Sequence, residues 1–452
     1  MDFARRRFIA LPVAAVSSAA LPAQAATRPT AELGVDATHF GLRPGSPDDQ
    51  SRVLQRAIDE TARTRAPLAV PPGVYRTANL KLAPGTHLVG ARGATKLALT
   101  QGPSLLSGMA ADHVTLSGLT LDGGSGRLPE RRGLVQLERC QAIKIVDCEF
   151  TGSRQNGLVC LETSGEVTET AFNDTADAAI HVLDSAGLVI ARNRIGRAGN
   201  NGIQVWRSTS GNDGTIVVDN QIDNIANRSG GSGQYGNGIN IFRAANVIVR
   251  GNQINNCAFS AVRGNAASNL HVEGNGITNA GEVALYVEFG FEGAIVANNS
   301  VDRAAIGISI TNFNAGGRLA VVQGNIIRNL APKRPAGTDP GDSAGVGIAV
   351  EADTAVTGNV VENAPTAGIM LGWGHYLRDV AVTGNVVRKA GIGIAVSVTP
   401  GAGTALIANN VIAETLQGAI IGMARSKPVT GDLSREGVER FAHIALSGNR
   451  VR

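Results

Sequence analysis

From about residue 111 onward the hydrophobic positions recur in short alternating runs rather than in a helical stripe. Each run reads small residue, aliphatic, any residue, aliphatic, as at Gly157-Leu158, Ala179-Ile180, Gly202-Ile203, Gly238-Ile239, Ala261-Val262, Ala284-Leu285, Gly307-Ile308, Gly347-Ile348, Gly368-Ile369 and Gly393-Ile394. Successive steps are 22, 23, 36, 23, 23, 23, 40, 21 and 25 residues. The base period is therefore near 23, with two insertions. A second mark is an asparagine before an aliphatic, at Asn193, Asn220, Asn252, Asn275, Asn299, Asn325, Asn359, Asn385, Asn410 and Asn449. The residue before it is often Gly or Asn, the types that tolerate positive φ.

A unit of this length cannot bury its apolar face alone, so units must stack. Two short strands and two bends per period suit one rung of a β-solenoid. About a dozen rungs at ~4.8 Å make a rod near ~60 Å long. Inward aliphatics then form a ladder, Ile180, Ile203, Ile239, Val262, Leu285 and Ile308. The asparagines form a second ladder at a bend, each amide bonding its neighbours. The periodicity makes the fold class all-β, a β-solenoid of about 12 rungs, behind an N-terminal helix-and-strand cap. Composition agrees. Glycine is 57 of 452 residues, aromatics are 4% and mean hydropathy is +0.04. That excludes a disordered chain.

The chain divides into 1–25, 26–110 and 111–452. The first segment carries Arg5-Arg6-Arg7-Phe8-Ile9, a weakly apolar stretch and Ala23-Gln24-Ala25. It resembles a twin-arginine signal peptide, with Ala4 where Ser or Thr is usual, and implies periplasmic or secreted export. The cap contains Ser46-Pro47 and Asp49 as a helix start, with Val53, Leu54, Ala57, Ile58 and Thr61 on one face. Pro71-Pro-Gly-Val-Tyr75 and Leu80-Lys-Leu-Ala-Pro-Gly-Thr-His-Leu-Val89 follow. Over about residues 34–93 this run resembles the opening of the pectate-lyase-like superfamily, where it caps a right-handed parallel β-helix. More narrowly, the signal joined to Asn-ladder repeats resembles a bacterial family of twin-arginine-translocated repeat proteins.

The resemblance implies a carbohydrate-active protein: lyase, uronate epimerase or polygalacturonase-type hydrolase. The aspartates and histidine of those hydrolases are not found, nor is the calcium-binding Asp cluster of pectate lyases. The expected cofactor is none, with Ca2+ left open although no motif marks a site for it. Net charge without the first 25 residues is +2, from 38 basic and 36 acidic residues, and no basic run points to nucleic acid. Cys140, Cys148, Cys160 and Cys257 show no metal spacing. They read as small buried residues, with one disulfide among the first three left open by the export signal.

Strand parity locates candidate chemistry. If Ile203 and Val205 point inward, outward columns run Val159, His181, Gln204, Asn240, Arg263, Tyr286, Ser309, Ala349, Met370, Ala395 and Leu161, Leu183, Trp206, Phe242, Asn265, Glu288, Thr311, Glu351. These columns are polar and aromatic in the middle and bland at both ends. The candidate catalytic residues are Arg263, Tyr286, Glu288 and His181. Gln204, Trp206, Arg207, Asn240, Phe242, Arg243, Asn265 and Asn312 are the candidate substrate-binding residues. Trp206 and Phe242 offer flat faces to sugar rings. Arg207, Arg243 and Arg263 suit carboxylates, and Tyr286 or His181 suits proton transfer beside a uronate. No metal site is expected. Residues 224–237 and 329–345 flank the stripe and can wall a groove. His375 and Tyr376, in GWGHYLRD, form a second polar cluster.

The expected function is action on an acidic polysaccharide, lyase- or epimerase-like. Two alternatives stay open: a non-catalytic glycan-binding or envelope scaffold, and hydrolysis, for which Glu288 with Glu351 is the nearer carboxylate pair. The expected partners are a polysaccharide and the export machinery, without nucleic acid or stable membrane insertion.

Overall fold

The structure is a computed structural model and describes residues 34–124 and 126–452. The segment read as a signal peptide lies outside them. Each turn contributes three strands, not two. One turn runs Val189–Ala191, Arg194–Gly196, Asn201–Asn212. Such turns stack into a right-handed parallel β-helix of about 14 turns, slightly more than the repeat marks alone predict. The extra turns lie in the N-terminal part, where the Asn mark is missing from the sequence. The first face is one sheet of 16 strands in chain order, from Val35–Asp36 to Ile444–Ser447. The second and third faces are continuous round their shared bend; toward the C-terminus their strands merge into single elements such as Val386–Ser397.

The interior is filled by register-matched aliphatics. Ile180, Ile203, Ile239, Val262, Leu285 and Ile308 pair in sequence, all fully buried. Phe150 stacks on Phe172 at 4.5 Å on the second face. The four cysteines are buried and free, so no disulfide closes among the first three.

The bend between first and second faces holds the asparagine ladder. Asn275 Nδ2 donates to Asn299 Oδ1 at 3.0 Å and to the Val249 carbonyl at 3.1 Å, while its own Oδ1 accepts from Asn252. The pattern continues from Asn193 to Asn449. The preceding residue is left-handed even where it is Arg192 or Asp219, at φ 55 and 56. Asp147 and Glu169, which precede Cys148 and Thr170 at the same bend, are left-handed too, at φ 54 and 53, so the turn itself imposes on ordinary side chains a conformation costing roughly 1–2 kcal/mol.

The helix α1 spans Ser51–Thr64, starting later than the Ser46-Pro47 signal predicts. Asp49 pairs as a bridge with Arg76, and Gln50 N–H donates to the Arg76 carbonyl, so these residues belong to the sheet edge. Asp49 instead accepts from Ser51 N–H at the helix start. Leu54, Ala57 and Ile58 are buried against the first turn. Gln55 exchanges two side-chain bonds with the Lys81 backbone, at 2.9 and 2.7 Å. These satisfy a strand edge that would otherwise be open. At the other end Lys427–Asp432 folds back antiparallel on Val411–Ala424.

Candidate functional site

The strand register places the predicted column on one wall of the third face. Val159, His181, Gln204, Asn240, Arg263, Tyr286, Ser309, Ala349, Met370 and Ala395 pair successively. Leu161, Leu183, Trp206, Phe242, Asn265 and Glu288 form the neighbouring column. The wall is not open along its length. The insertions 224–237 and 329–345 meet above its centre, where Ser232 N–H donates to the Gly337 carbonyl at 2.9 Å. Gly231 must be glycine for this contact, because a Cβ there would lie 2.7 Å from the Gly337 oxygen. The roof closes the middle and leaves a pocket on either side.

Under the roof lies a network of buried charge, which corrects three sequence expectations. Arg263 is 8% exposed and binds Glu288 with two parallel bonds, of 2.7 and 2.9 Å. It also reaches Glu282 at 3.3 Å and Ser232 at 2.9 Å, and stacks over the Tyr286 ring at 4.7 Å. Glu288 is 1% exposed and accepts also from Asn265 Nδ2. Arg263 and Glu288 are therefore partners of each other rather than catalytic groups facing a ligand. Asn265 belongs to the same network. Glu288 also cannot pair with Glu351, which opens into a separate pocket.

The other arginines are also engaged. Arg207 lies 4.0 Å from Asp213 and donates to the Ser185 carbonyl. Arg243 stacks on Phe242 at 4.7 Å and donates to the Ser208 carbonyl. Asn240 is buried, accepting from Trp206 Nε1 at 2.8 Å and donating to the Gly233 carbonyl at 3.0 Å. It holds the tryptophan and the roof rather than a substrate. Phe242 meets the Trp206 edge at 6.2 Å and lies outside the lining of both pockets.

The first pocket, on the N-terminal side of the roof, has a volume of about 590 Å³. His181, Gln204 and Trp206 line it with Arg131, Asp177 and Tyr235. His181 Nδ1 lies 2.6 Å from Gln204 Oε1, an acceptor, so the tautomer carries its proton on Nδ1. Nε2 is left as a lone-pair base with no protein partner among the described residues. Burial pulls the His181 pKa below its ordinary 6.5, with a further lowering from Arg131 that Gln204 and Asp177 oppose. The imidazole is therefore neutral at neutral pH. Trp206 meets the imidazole edge-on at 5.4 Å. Arg131 makes no salt bridge among the described residues. Arg131, Asp177 and Tyr235 were missed in the sequence because they come from bends and an insertion rather than from the column.

The second pocket, on the C-terminal side, has a volume of about 240 Å³. Tyr286, Ser309, Asn312, Glu351, Trp373 and Tyr376 line it, with Arg334 and Asp342 from the insertion. Asn312 sits at φ 71 and its Oδ1 accepts from Phe289 N–H. Burial pushes the Tyr286 phenol far above its ordinary range, which removes it as a base at neutral pH. Burial likewise raises the Glu351 carboxyl, against bonds from the backbone N–H groups of Phe313 and Asn312. The parity column reached Glu351, and GWGHYLRD marked the Trp373–Tyr376 loop. Nothing local showed that the two converge. Among the described residues no group of three or more His, Cys, Asp or Glu could hold a metal ion, and no helix is long and apolar enough to cross a membrane.

A family model described as right handed beta helix region matches residues 108–235 and 209–387, more than half of the chain, and the chain belongs to that family. Its solved structural neighbours include the pre-mature gene product 12 of bacteriophage phi29, at TM-score 0.51 and 13% identity over 92% of this chain and 72% of that one. PfbA, a surface adhesin of Streptococcus pneumoniae, is similar at TM-score 0.51 and 15% identity, over 88% of this chain and 94% of that one. The catalytic unit of an alpha-1,3-glucanase from Streptomyces thermodiastaticus aligns at TM-score 0.48 and 16% identity, over 96% and 70%. At these identities the first two likenesses show the fold and not the reaction. No curated protein matches the chain significantly.

Proposed function

We propose that the chain is an exported, carbohydrate-active β-helix protein whose first pocket takes a uronate unit of an acidic polysaccharide and abstracts its C5 proton. The observation that carries this reading is His181: a neutral imidazole, oriented by Gln204, with Nε2 free in a pocket. Arg131 is placed to neutralise the uronate carboxylate, which makes the adjacent proton acidic enough to remove. Tyr235 is the available proton donor, and Trp206 the apolar wall for a sugar ring. In β-elimination, Nε2 takes the C5 proton, the C4–O bond breaks and the leaving oxygen takes a proton from Tyr235. Reprotonation of C5 from the opposite side gives epimerisation instead. Export through the twin-arginine route, and membership of a twin-arginine-translocated repeat family, rest on the Arg5-Arg6-Arg7 motif.

A second reading, glycan binding without turnover, is favoured by the loss of Arg207, Arg243 and Arg263 to internal partners, and by Glu130 and Asp177 beside Arg131. A screen of uronate polymers by absorbance of the unsaturated product, with NMR for C5 inversion, separates the two. Turnover abolished by His181→Ala with an unchanged melting temperature is expected. Retained binding with no turnover on any polymer establishes the second reading.

A further inference from the structure

The second pocket holds a charge that the fold does not neutralise. Glu351 is 9% exposed, and only backbone N–H groups bond to its carboxylate, that of Phe313 at 2.7 Å from Oε2 and that of Asn312. No salt bridge reaches it among the described residues. The basic groups around it are committed elsewhere. Arg334 binds Glu282 at 2.8 Å and Asp342 at 3.1 Å. Arg378 binds Asp353 at 2.6 and 2.7 Å and covers the Phe313 ring at 4.4 Å. Counting the roof, four carboxylates (Glu282, Glu288, Asp342, Glu351) face two guanidiniums (Arg263, Arg334), a formal excess of two negative charges. A buried carboxylate without a cation is costly unless a ligand brings one.

Three aromatic rings share the cavity: Tyr286, Trp373 and Tyr376. Aromatic faces attract cations, and carboxylate plus rings is the chemistry of ammonium recognition. Ser309, Thr311, Asn312 and Asn314 add hydroxyl and amide groups of the kind that bond ring hydroxyls. At about 240 Å³ the cavity falls below the roughly 300–1,000 Å³ of pockets for drug-sized ligands. It suits one sugar ring rather than a chain.

We infer that the second pocket is a binding site for a single saccharide unit carrying a free amino group, its ammonium placed against Glu351 and the aromatic wall. The site is separate from the first pocket, uses none of its residues, and prefers a ligand of opposite charge. The raised Glu351 pKa fits this role: an arriving ammonium replaces the missing counter-charge and favours the ionised carboxylate.

The test is calorimetric or NMR titration of the full chain with glucosamine, N-acetylglucosamine and glucuronic acid at pH 7. Glucosamine is expected to bind at least about tenfold more tightly than its acetylated form, a difference of about 1.4 kcal/mol, and glucuronic acid not to bind here. Glu351→Gln should abolish the preference while the protein stays folded by melting curve. Trp373→Ala should weaken glucosamine binding while the melting curve stays unchanged. Equal affinity for the amine and its acetylated form, no saccharide binding at this pocket, or a preference surviving Glu351→Gln would each overturn the inference. None of these outcomes depends on turnover at the first pocket.

Discussion

A neutral imidazole whose Nδ1–H is held by an amide has one atom left to offer, and at His181 that atom is Nε2. Its usefulness as a base ends when it is protonated. Because burial lowers its pKa, kcat/KM on a uronate substrate should fall on the acid side only below pH 6.5, and stay flat from there to neutrality. Gln204→Leu should move that limb and lower kcat more than KM, since it frees the ring without removing it. Glu351 works in the opposite direction. Its folded pKa lies above the ordinary 4.5, so between these values the native state holds more protons than the unfolded chain. Stability must therefore fall as pH rises through that window. Glu351→Gln should melt higher than the parent at pH 7, and the advantage should vanish below pH 4.5. Arg263→Ala, by contrast, should cost about 3–5 kcal/mol, because it leaves Glu288 and Glu282 buried without their cation. Chemical denaturation measures that loss directly.

Among elements, the asparagine ladder ties successive turns together in register. Removing one amide orphans groups on both neighbours: Asn275→Ala strips partners from Asn252, Asn299 and the Val249 carbonyl. A loss of about 3 kcal/mol is expected from the denaturation midpoint. The half-buried Asn279, on an outer bend and bonded only to side chains, should cost under about 1 kcal/mol on the same change. The ladder was legible because an amide repeated at one spacing has few other uses in stacked turns. The helix start was not. Ser46, Pro47 and Asp49 look like the beginning of a helix, but a sheet edge captures Asp49 and Gln50, and a nonlocal backbone pairing leaves no local trace in the residues concerned.

At the scale of the whole molecule, two insertions divide one wall into two pockets. Their contact depends on Gly231 and Gly337 lying backbone to backbone. Gly231→Val should part the loops and raise hydrogen exchange in residues 226–236 and 331–343 by at least about tenfold, since loop opening is a local event of low free energy. The solenoid beneath, held by ladders the loops do not touch, should keep its melting temperature within about 2 °C.

Periodicity alone determined the rod, the ladders and the parity of the outward columns, because identical small units can bury their apolar faces only by stacking in register. Two strands per turn was an undercount for a similar local reason: before they merge with the third face, the second-face strands are only three or five residues long, too short to show a clear alternation of their own. Only the tertiary structure decided which outward side chains meet solvent. Exposure on a β-helix wall depends on what the loops cover, and residues some fifty apart, such as Ser232 and Glu282, must first be brought together. That cover turned Arg263 and Glu288 from ligand-facing groups into an internal ion pair, and left His181 and Glu351, one neutral base and one uncompensated acid, at opposite sides of the roof.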